Sequence, residues 1–233
     1  MTTEVVRYPS QAAQAADVAE RLLELLTSLQ AQGRIPQVAL TGGTFAKLMY
    51  EEVARQAPAF AVAWDRVDFW WGDERFVDPD SEDRNDREAR HAFLDQVGAT
   101  RLHPMPATSS ACSVEEGARA YEAQVRASDA DRFDLVLLSM GPDGHVASLF
   151  PGSPQAAVTD RIAVGVTDSP KPPPQRITLT FEALNRSDRV WLFAAESDAG
   201  AAKEAAFKRA LSGDPDIPAT RVHGVAETIW FAS

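Results

Sequence analysis

Two hydrophobic rhythms take turns along this chain. Short unbroken apolar runs predict buried strands, and apolar residues spaced three and four apart predict amphipathic helices. Val5 to Tyr8 reads as a first short strand. Val18, Leu22, Leu25, Leu26 and Leu29 then line one face of a helix that Ser10 caps and Gly33 stops, running to about Gln32. Gln37 to Leu40 is a strand, and Thr41-Gly42-Gly43-Thr44 turns the chain into a helix carrying Phe45, Leu48, Met49 and Val53. Val67 to Trp71 is the next strand. Gly72-Asp73-Glu74-Arg75, an acid-rich loop from Asp78 to Asp86, and a helix from about Asn85 to Val97 follow it. Ser113 caps a helix reaching Ser128, and the apolar run Phe133 to Leu138 makes a strand ending at Ser139.

The second half keeps the rhythm. Arg161 to Thr167 reads as a strand, and Asp168-Ser169-Pro170-Lys171-Pro172-Pro173-Pro174 as a stiff extended loop, since each proline fixes its own φ and has no N–H to give a ladder. Arg176 to Phe181 and Arg189 to Ala195 are strands, Gly200 to Leu211 is a helix bearing Lys203, and Thr228 to Phe231 is a last short strand. Strands alternating with helices from end to end predict an α/β fold with a mostly parallel sheet covered by helices on both faces. No repeat or low-complexity linker interrupts the pattern, so residues 1–233 read as a single domain.

Composition narrows the setting. The longest apolar stretches fall well short of the roughly 20 residues a membrane span needs. Met1 to Ser10 has no basic segment leading into an apolar core, so no secretory signal is expected. One cysteine, Cys112, rules out an intrachain disulfide and suits a reducing, cytoplasmic compartment. It has no histidine near it in sequence and reads as an inert small residue. Lysine and arginine number 23 against 34 aspartates and glutamates, a net charge of −11. That field repels nucleic acid and anionic membrane, so neither is expected as a partner. An anionic small molecule would need a local basic pocket. The pattern leaves open a monomer or a small homo-oligomer.

Candidate chemistry lies where strands end, because ligands of open α/β sheets bind in the crevice beyond the strands' carboxyl ends. The most informative segment is Ser139-Met140-Gly141-Pro142-Asp143-Gly144-His145, which presents an acid and an imidazole together after a buried strand. Histidine is the commonest general base; a turn aspartate beside an ordinary histidine is the plainer alternative. Thr41-Gly42-Gly43-Thr44 offers backbone N–H groups and a helix N-terminus to an anion, or simply makes a tight turn with Thr44 as N-cap. It matches neither nucleotide-binding glycine motif, so no NTP or dinucleotide is indicated. Arg75 has the fork geometry for phosphate or carboxylate, or pairs with Glu74 or Asp78 on the surface. Arg176 and Lys203 are further cations, each open to being a solvated charge. His91, His103, His145 and His223 form no zinc motif with each other or with Cys112, and no nucleophile elbow is present. Trp64, Trp70, Trp71, Trp191 and Trp230 are expected in the core or on sheet faces.

Taken together these segments resemble the 6-phosphogluconolactonase family. The resemblance rests on Thr41-Gly42-Gly43-Thr44, Gly72-Asp73-Glu74-Arg75-Phe76-Val77, Met140 through Gly152, Lys171-Pro172-Pro173-Pro174-Gln175-Arg176-Ile177-Thr178-Leu179-Thr180, and Lys203, in the family's order. It implies a sugar-phosphate isomerase-like α/β fold with a Rossmann-like sheet, and hydrolysis of 6-phospho-glucono-1,5-lactone to 6-phosphogluconate, the second step of the oxidative pentose phosphate pathway. It implies no metal and no organic cofactor. By similarity His145 is the general base, with Asp143 orienting it. Arg75, Arg176 and Lys203 contact the substrate, mainly its phosphate, and Gly42, Gly43, Thr44, Asp73, Asn85 and Gly144 complete the binding site. Related glucosamine-6-phosphate deaminases share the Gly-Gly turn and Asp-Gly-His but carry Phe-Asn-Glu-Pro-Gly where this chain has Ser148-Leu149-Phe150-Pro151-Gly152, so the glutamate their chemistry uses is missing. A sugar-phosphate-binding module without catalysis is the other alternative. The chain departs from the family at Arg84, where serine usually precedes the asparagine, at Ser139, at Val146, and at Ala232-Ser233, where an aspartate is usual.

Overall fold

The computed structural model describes residues 2–128, 132–194 and 200–233. Its framework is a seven-stranded, wholly parallel sheet. The strands are β1 (Thr2–Arg7), β2 (Gln37–Leu40), β3 (Asp68–Trp71), β5 (Arg101–Leu102), β6 (Leu135–Ser139), β9 (Arg189–Ala194) and β10 (Glu227–Ala232), in the order β1-β10-β9-β6-β2-β3-β5. Every residue of β2 and β3 is buried. Such unbroken burial belongs to a sheet with both faces covered, and it explains why these segments read as apolar runs rather than alternations.

The expected helices form. Helix α1 (Gln11–Ala31) is capped by the Ser10 hydroxyl, which accepts from the Ala13 N–H. Helix α2 (Thr44–Gln56) packs against α1. The segment Asn85 to Val97 is helical in three parts, α3 (Asn85–Ala89), a π-helical turn (Arg90–Leu94) and α4 (Asp95–Val97). Helix α5 (Val114–Ala127) is capped by Ser113 as expected. Helix α7 (Gly200–Leu211) also forms, whereas the short α6 (Phe181–Leu184) was not expected and begins at the residue expected to end a strand. The N-cap of α2 is Gly43 rather than Thr44, which is the first helical residue. Trp70 and Trp71 are fully buried and Trp191 and Trp230 nearly so, while Trp64 packs partly buried against the core.

The second sheet was not anticipated. The segment Asp73-Glu74-Arg75 is itself a strand, β4 (Asp73–Arg75), and it pairs antiparallel with β8 (Arg176–Leu179), which pairs antiparallel with β7 (Ala163–Val166). Two strands assigned to the parallel sheet from the alternation of strands with helices therefore belong to a separate antiparallel one. Gly72 is the hinge between the sheets. Its N–H donates to the Leu40 carbonyl and its carbonyl accepts from the Leu179 N–H. Strand β5 was also missed, being only two residues long. The final residue of the expected strand Arg189 to Ala195 lies outside the described residues.

From β2 the chain steps to β3 and β5 on one side, and from β6 to β9 and β10 on the other. The point where the order reverses lies between β2 and β6, where a crevice opens at the strands' carboxyl ends.

Candidate active site

A cleft of about 350 Å³ occupies that crevice. Its walls come from loops at strand ends, from the small antiparallel sheet and from helices α3 and α7. The turn after β2 contributes Thr41, Gly42, Gly43 and Thr44, and the loop after β6 contributes Ser139 to Pro142, His145 and Ala147. The small sheet supplies Asp73, Arg75 and Arg176, the proline loop Lys171 and Pro172, α3 Asn85, and α7 Lys203. Of the residues expected at the site, Gly42, Gly43, Thr44, Asp73, Arg75, Asn85, His145, Arg176 and Lys203 all line the cleft. Asp143 and Gly144 stand just behind it.

The loop after β6 folds back on itself to aim the imidazole. The Gly141 N–H donates to the His145 carbonyl at 2.9 Å, and the Gly144 N–H to the Gly141 carbonyl at 3.0 Å. Gly144 adopts φ +80°, a conformation natural to glycine, and a Cβ there would also meet Ile217 at 2.6 Å. A Cβ on Gly141 would lie 2.0 Å from His145 Cε1, so the imidazole rests directly over that glycine. His145 Nδ1 and Asp143 Oδ1 are 2.5 Å apart, so a proton lies between them and Nε2 is left as the basic nitrogen. Phe150 packs on the imidazole with ring centroids 4.6 Å apart. Burial works against the Asp143 charge. The His145 hydrogen bond and the nearby His145 and Lys171 charges outweigh it and hold the carboxyl down at about 2.

The cationic residues arrive by pairing and by clamping. Antiparallel register sets Arg75 opposite Arg176. Arg75 Nη1 donates to the Asp83 carbonyl at 2.5 Å, which fastens the acid-rich loop beside the cleft. Arg176 is almost wholly buried, its Nε donating to the Pro173 carbonyl at 3.2 Å and its Nη2 to the Lys171 and Pro172 carbonyls, each at 3.1 Å. Its Nη1 stands 3.9 Å from Asp73 Oδ2, which also accepts a 2.6 Å bond from the fully buried Ser148 hydroxyl. Burial, with the neighbouring Lys171 charge, pulls the Lys203 ammonium down to about 8.

Asn85 is set by two devices. A Cβ on Gly42 would fall 1.9 Å from Asn85 Oδ1, so that glycine is the space the asparagine side chain fills. Asn85 Nδ2 donates to the Asp73 carbonyl at 3.0 Å. The buried Glu74 carboxylate meanwhile accepts from the backbone N–H groups of Arg75, Asn85 and Asp86 and so caps α3. Burial pushes the Glu74 carboxyl up, against the pull of Arg84. Arg84, where the family usually has serine, is itself buried. It bonds Asp86 at 2.7 Å and the Met105 carbonyl at 2.7 Å, and lies 3.7 Å from Glu74.

Three neighbours of the site were given no role from sequence. Lys171 Nζ stands 3.4 Å from His145 Nδ1; its signal was its place at the head of the proline run. Glu88 Oε2 accepts the Gly43 N–H at 3.3 Å, taking an amide expected to face an anion. Ser139 Oγ is buried at the cleft with no hydrogen-bond partner among the described residues. No group of three or more potential metal ligands occurs among the described residues, and no described helix is long and apolar enough to cross a membrane.

Known proteins resemble this chain over almost its whole length. The sequence profile of the family described as glucosamine-6-phosphate isomerases/6-phosphogluconolactonase matches residues 9–230. A 6-phosphogluconolactonase of Mycobacterium leprae is 38% identical over 223 residues, covering 91% of this chain and 88% of its own. One of Streptomyces coelicolor is 37% identical over 243 residues, covering 99% and 92%. The crystal structure of a Thermotoga maritima 6-phosphogluconolactonase superposes with a TM-score of 0.86 at 29% identity, covering 99% of both chains.

Proposed function

The chain belongs to the family of glucosamine-6-phosphate isomerases and 6-phosphogluconolactonases, and from that premise we propose the residues by which it works as a 6-phosphogluconolactonase. It is a lactone hydrolase of the pentose phosphate pathway, converting 6-phospho-glucono-1,5-lactone to 6-phosphogluconate. The observation that carries the residue assignment is the Asp143–His145 pair, with Nδ1 held by the carboxylate inside a cleft lined by arginine and lysine.

A lactone is an activated ester, and water suffices as nucleophile once a base takes its proton. His145 Nε2 is that base. Asp143 keeps the imidazole in the tautomer that leaves Nε2 free and stabilises the imidazolium that forms. Water adds to C1, the carbonyl oxygen becomes anionic, and the tetrahedral intermediate collapses with the ring oxygen leaving as the C5 hydroxyl. His145 returns the proton to that oxygen, and the carboxylic acid left at C1 releases its own proton to solvent, so the enzyme ends as it began. The phosphate is remote from C1. Arg75, Lys203 and the α2 N-terminus at Thr44 grip it, which supplies positioning rather than chemistry.

Phe150 argues against the deaminase reading. It holds the position where those relatives have glutamate, and it packs an apolar ring against His145 where a carboxylate would stand. The test is hydrolysis of freshly made 6-phosphogluconolactone, corrected for the spontaneous reaction. Acceleration that saturates with substrate is expected, and glucosamine 6-phosphate is expected to release no ammonia. A rate no faster than the spontaneous one would defeat the reading.

A further inference from the structure

Water adding to C1 puts a full negative charge on the former carbonyl oxygen, and something in the cleft has to hold it. The glycine turns are the first place to look, and three of their amides are committed elsewhere. The Gly43 N–H donates to Glu88, the Gly141 N–H to the His145 carbonyl, and the Gly144 N–H to the Gly141 carbonyl. What faces the catalytic pair instead is a cation. Lys171 Nζ stands 3.4 Å from His145 Nδ1 and 3.8 Å from Asp143 Oδ1, on the wall of the same cleft. The other charged groups around it are Arg176, on its own loop's anchoring strand, and Lys203, from α7 on another wall.

Lys171 is held there by its neighbours. Three successive prolines stiffen the chain after it. Arg176 ties down the carbonyls of Lys171, Pro172 and Pro173 with Nε and Nη2, leaving the guanidinium buried in the loop's backbone. A guanidinium bonded to three carbonyls of one loop is a scaffold for that loop, and the charge the loop delivers to the cleft is the lysine's.

Resting on the lactone-hydrolase reading, we propose that Lys171 is a catalytic residue that holds the C1 oxygens, first the oxyanion of the tetrahedral intermediate and then the product carboxylate, and that Arg176 is a positioning residue acting through it. Lys171 keeps its proton throughout; the proton of the attacking water passes through His145 to the ring oxygen, and the product acid loses its own to solvent. Lys203 and Arg75 are left to serve the phosphate.

The test separates the two ends of the ligand. 6-Phosphogluconate carries a carboxylate at C1; glucitol 6-phosphate has the same chain and phosphate with a hydroxymethyl group there. Lys171→Met is expected to weaken calorimetric binding of 6-phosphogluconate by about 10-fold or more, the scale of one lost charged hydrogen bond. Binding of glucitol 6-phosphate should stay within about twofold on the same reasoning, because that bond is never made. In the lactonase assay kcat should fall by ~10²–10³ with KM little changed, and Lys171→Arg should recover part of it. Equal weakening of both ligands would assign Lys171 to the phosphate and overturn the proposal, as would no weakening of either. Arg176→Lys should cost kcat in the native background and little in the Lys171→Met background; additive losses would overturn its indirect role. Failure of the unaltered protein to hydrolyse the lactone would strike the lactonase reading instead, and the two-ligand comparison would still judge the lysine.

Discussion

His145 meets Asp143 through Nδ1 at 2.5 Å, and that one contact decides which nitrogen does the work. His145→Ala removes the base and leaves the phosphate grip intact. It should lower kcat by ~10²–10⁴ while 6-phosphogluconate still binds in calorimetry. Lys203 makes a pH prediction. Burial and the Lys171 charge bring its ammonium down to about 8, so the charged form is complete only below that value. Affinity for 6-phosphogluconate should therefore fall as pH rises through about 8, and Lys203→Gln should bind weakly with that step absent from the profile. A wild-type affinity flat from pH 7 to about 9 would remove Lys203 from the anion site. At this scale most of the site was legible. Glycines, an acid and a histidine directly after an apolar strand mark a strand-end turn by their chemistry alone. Lys171 was not legible, because one lysine ahead of a proline run looks like any solvated charge until the fold turns its ammonium toward His145.

The turn from β2 into α2 shows how an element is tuned by a residue far away in sequence. Gly42 is needed because Asn85 fills the place of its Cβ, 1.9 Å away. Gly42→Ala should push Asn85 aside and lower kcat/KM. Asn85→Ala in the same chain should restore the lost thermal stability by removing the clash, but not the activity. Stability unchanged in the single variant would mean the contact is slack. Helix α3 is capped by Glu74 from β4, across the acid-rich loop, rather than by a residue beside it. That is why the sequence marks for α1 and α5 were readable at Ser10 and Ser113, whereas the start of α3 carried no cap of its own at Arg84.

At the scale of the molecule, the cleft depends on where the antiparallel sheet docks. Helix α5 packs on β7 and β8, and Gly117 lets it approach, since a Cβ there would meet Ile177 Cδ1 at 2.8 Å and Phe76 Cε2 at 3.3 Å. Gly117→Leu should cost roughly 1–3 kcal/mol of stability by overpacking, read as a lower urea midpoint. It should also raise KM, because the displaced sheet carries Arg75, which grips the phosphate; an unchanged midpoint would show that the layers have slack. The order of strands and helices, the buried character of the parallel sheet and the strand-end turn that carries Asp143 and His145 were determined by the sequence alone. Each rests on local chemistry: apolar runs, serine caps, glycine turns and an acid–imidazole pair two residues apart. Only the tertiary structure decided that β4, β7 and β8 leave the main sheet, that Arg75 lies opposite Arg176, and that Arg176 grips a backbone while Lys171 faces His145. Those outcomes depend on strand partners and buried carbonyls far apart in the chain, and an apolar run looks the same whether its neighbour is parallel or antiparallel.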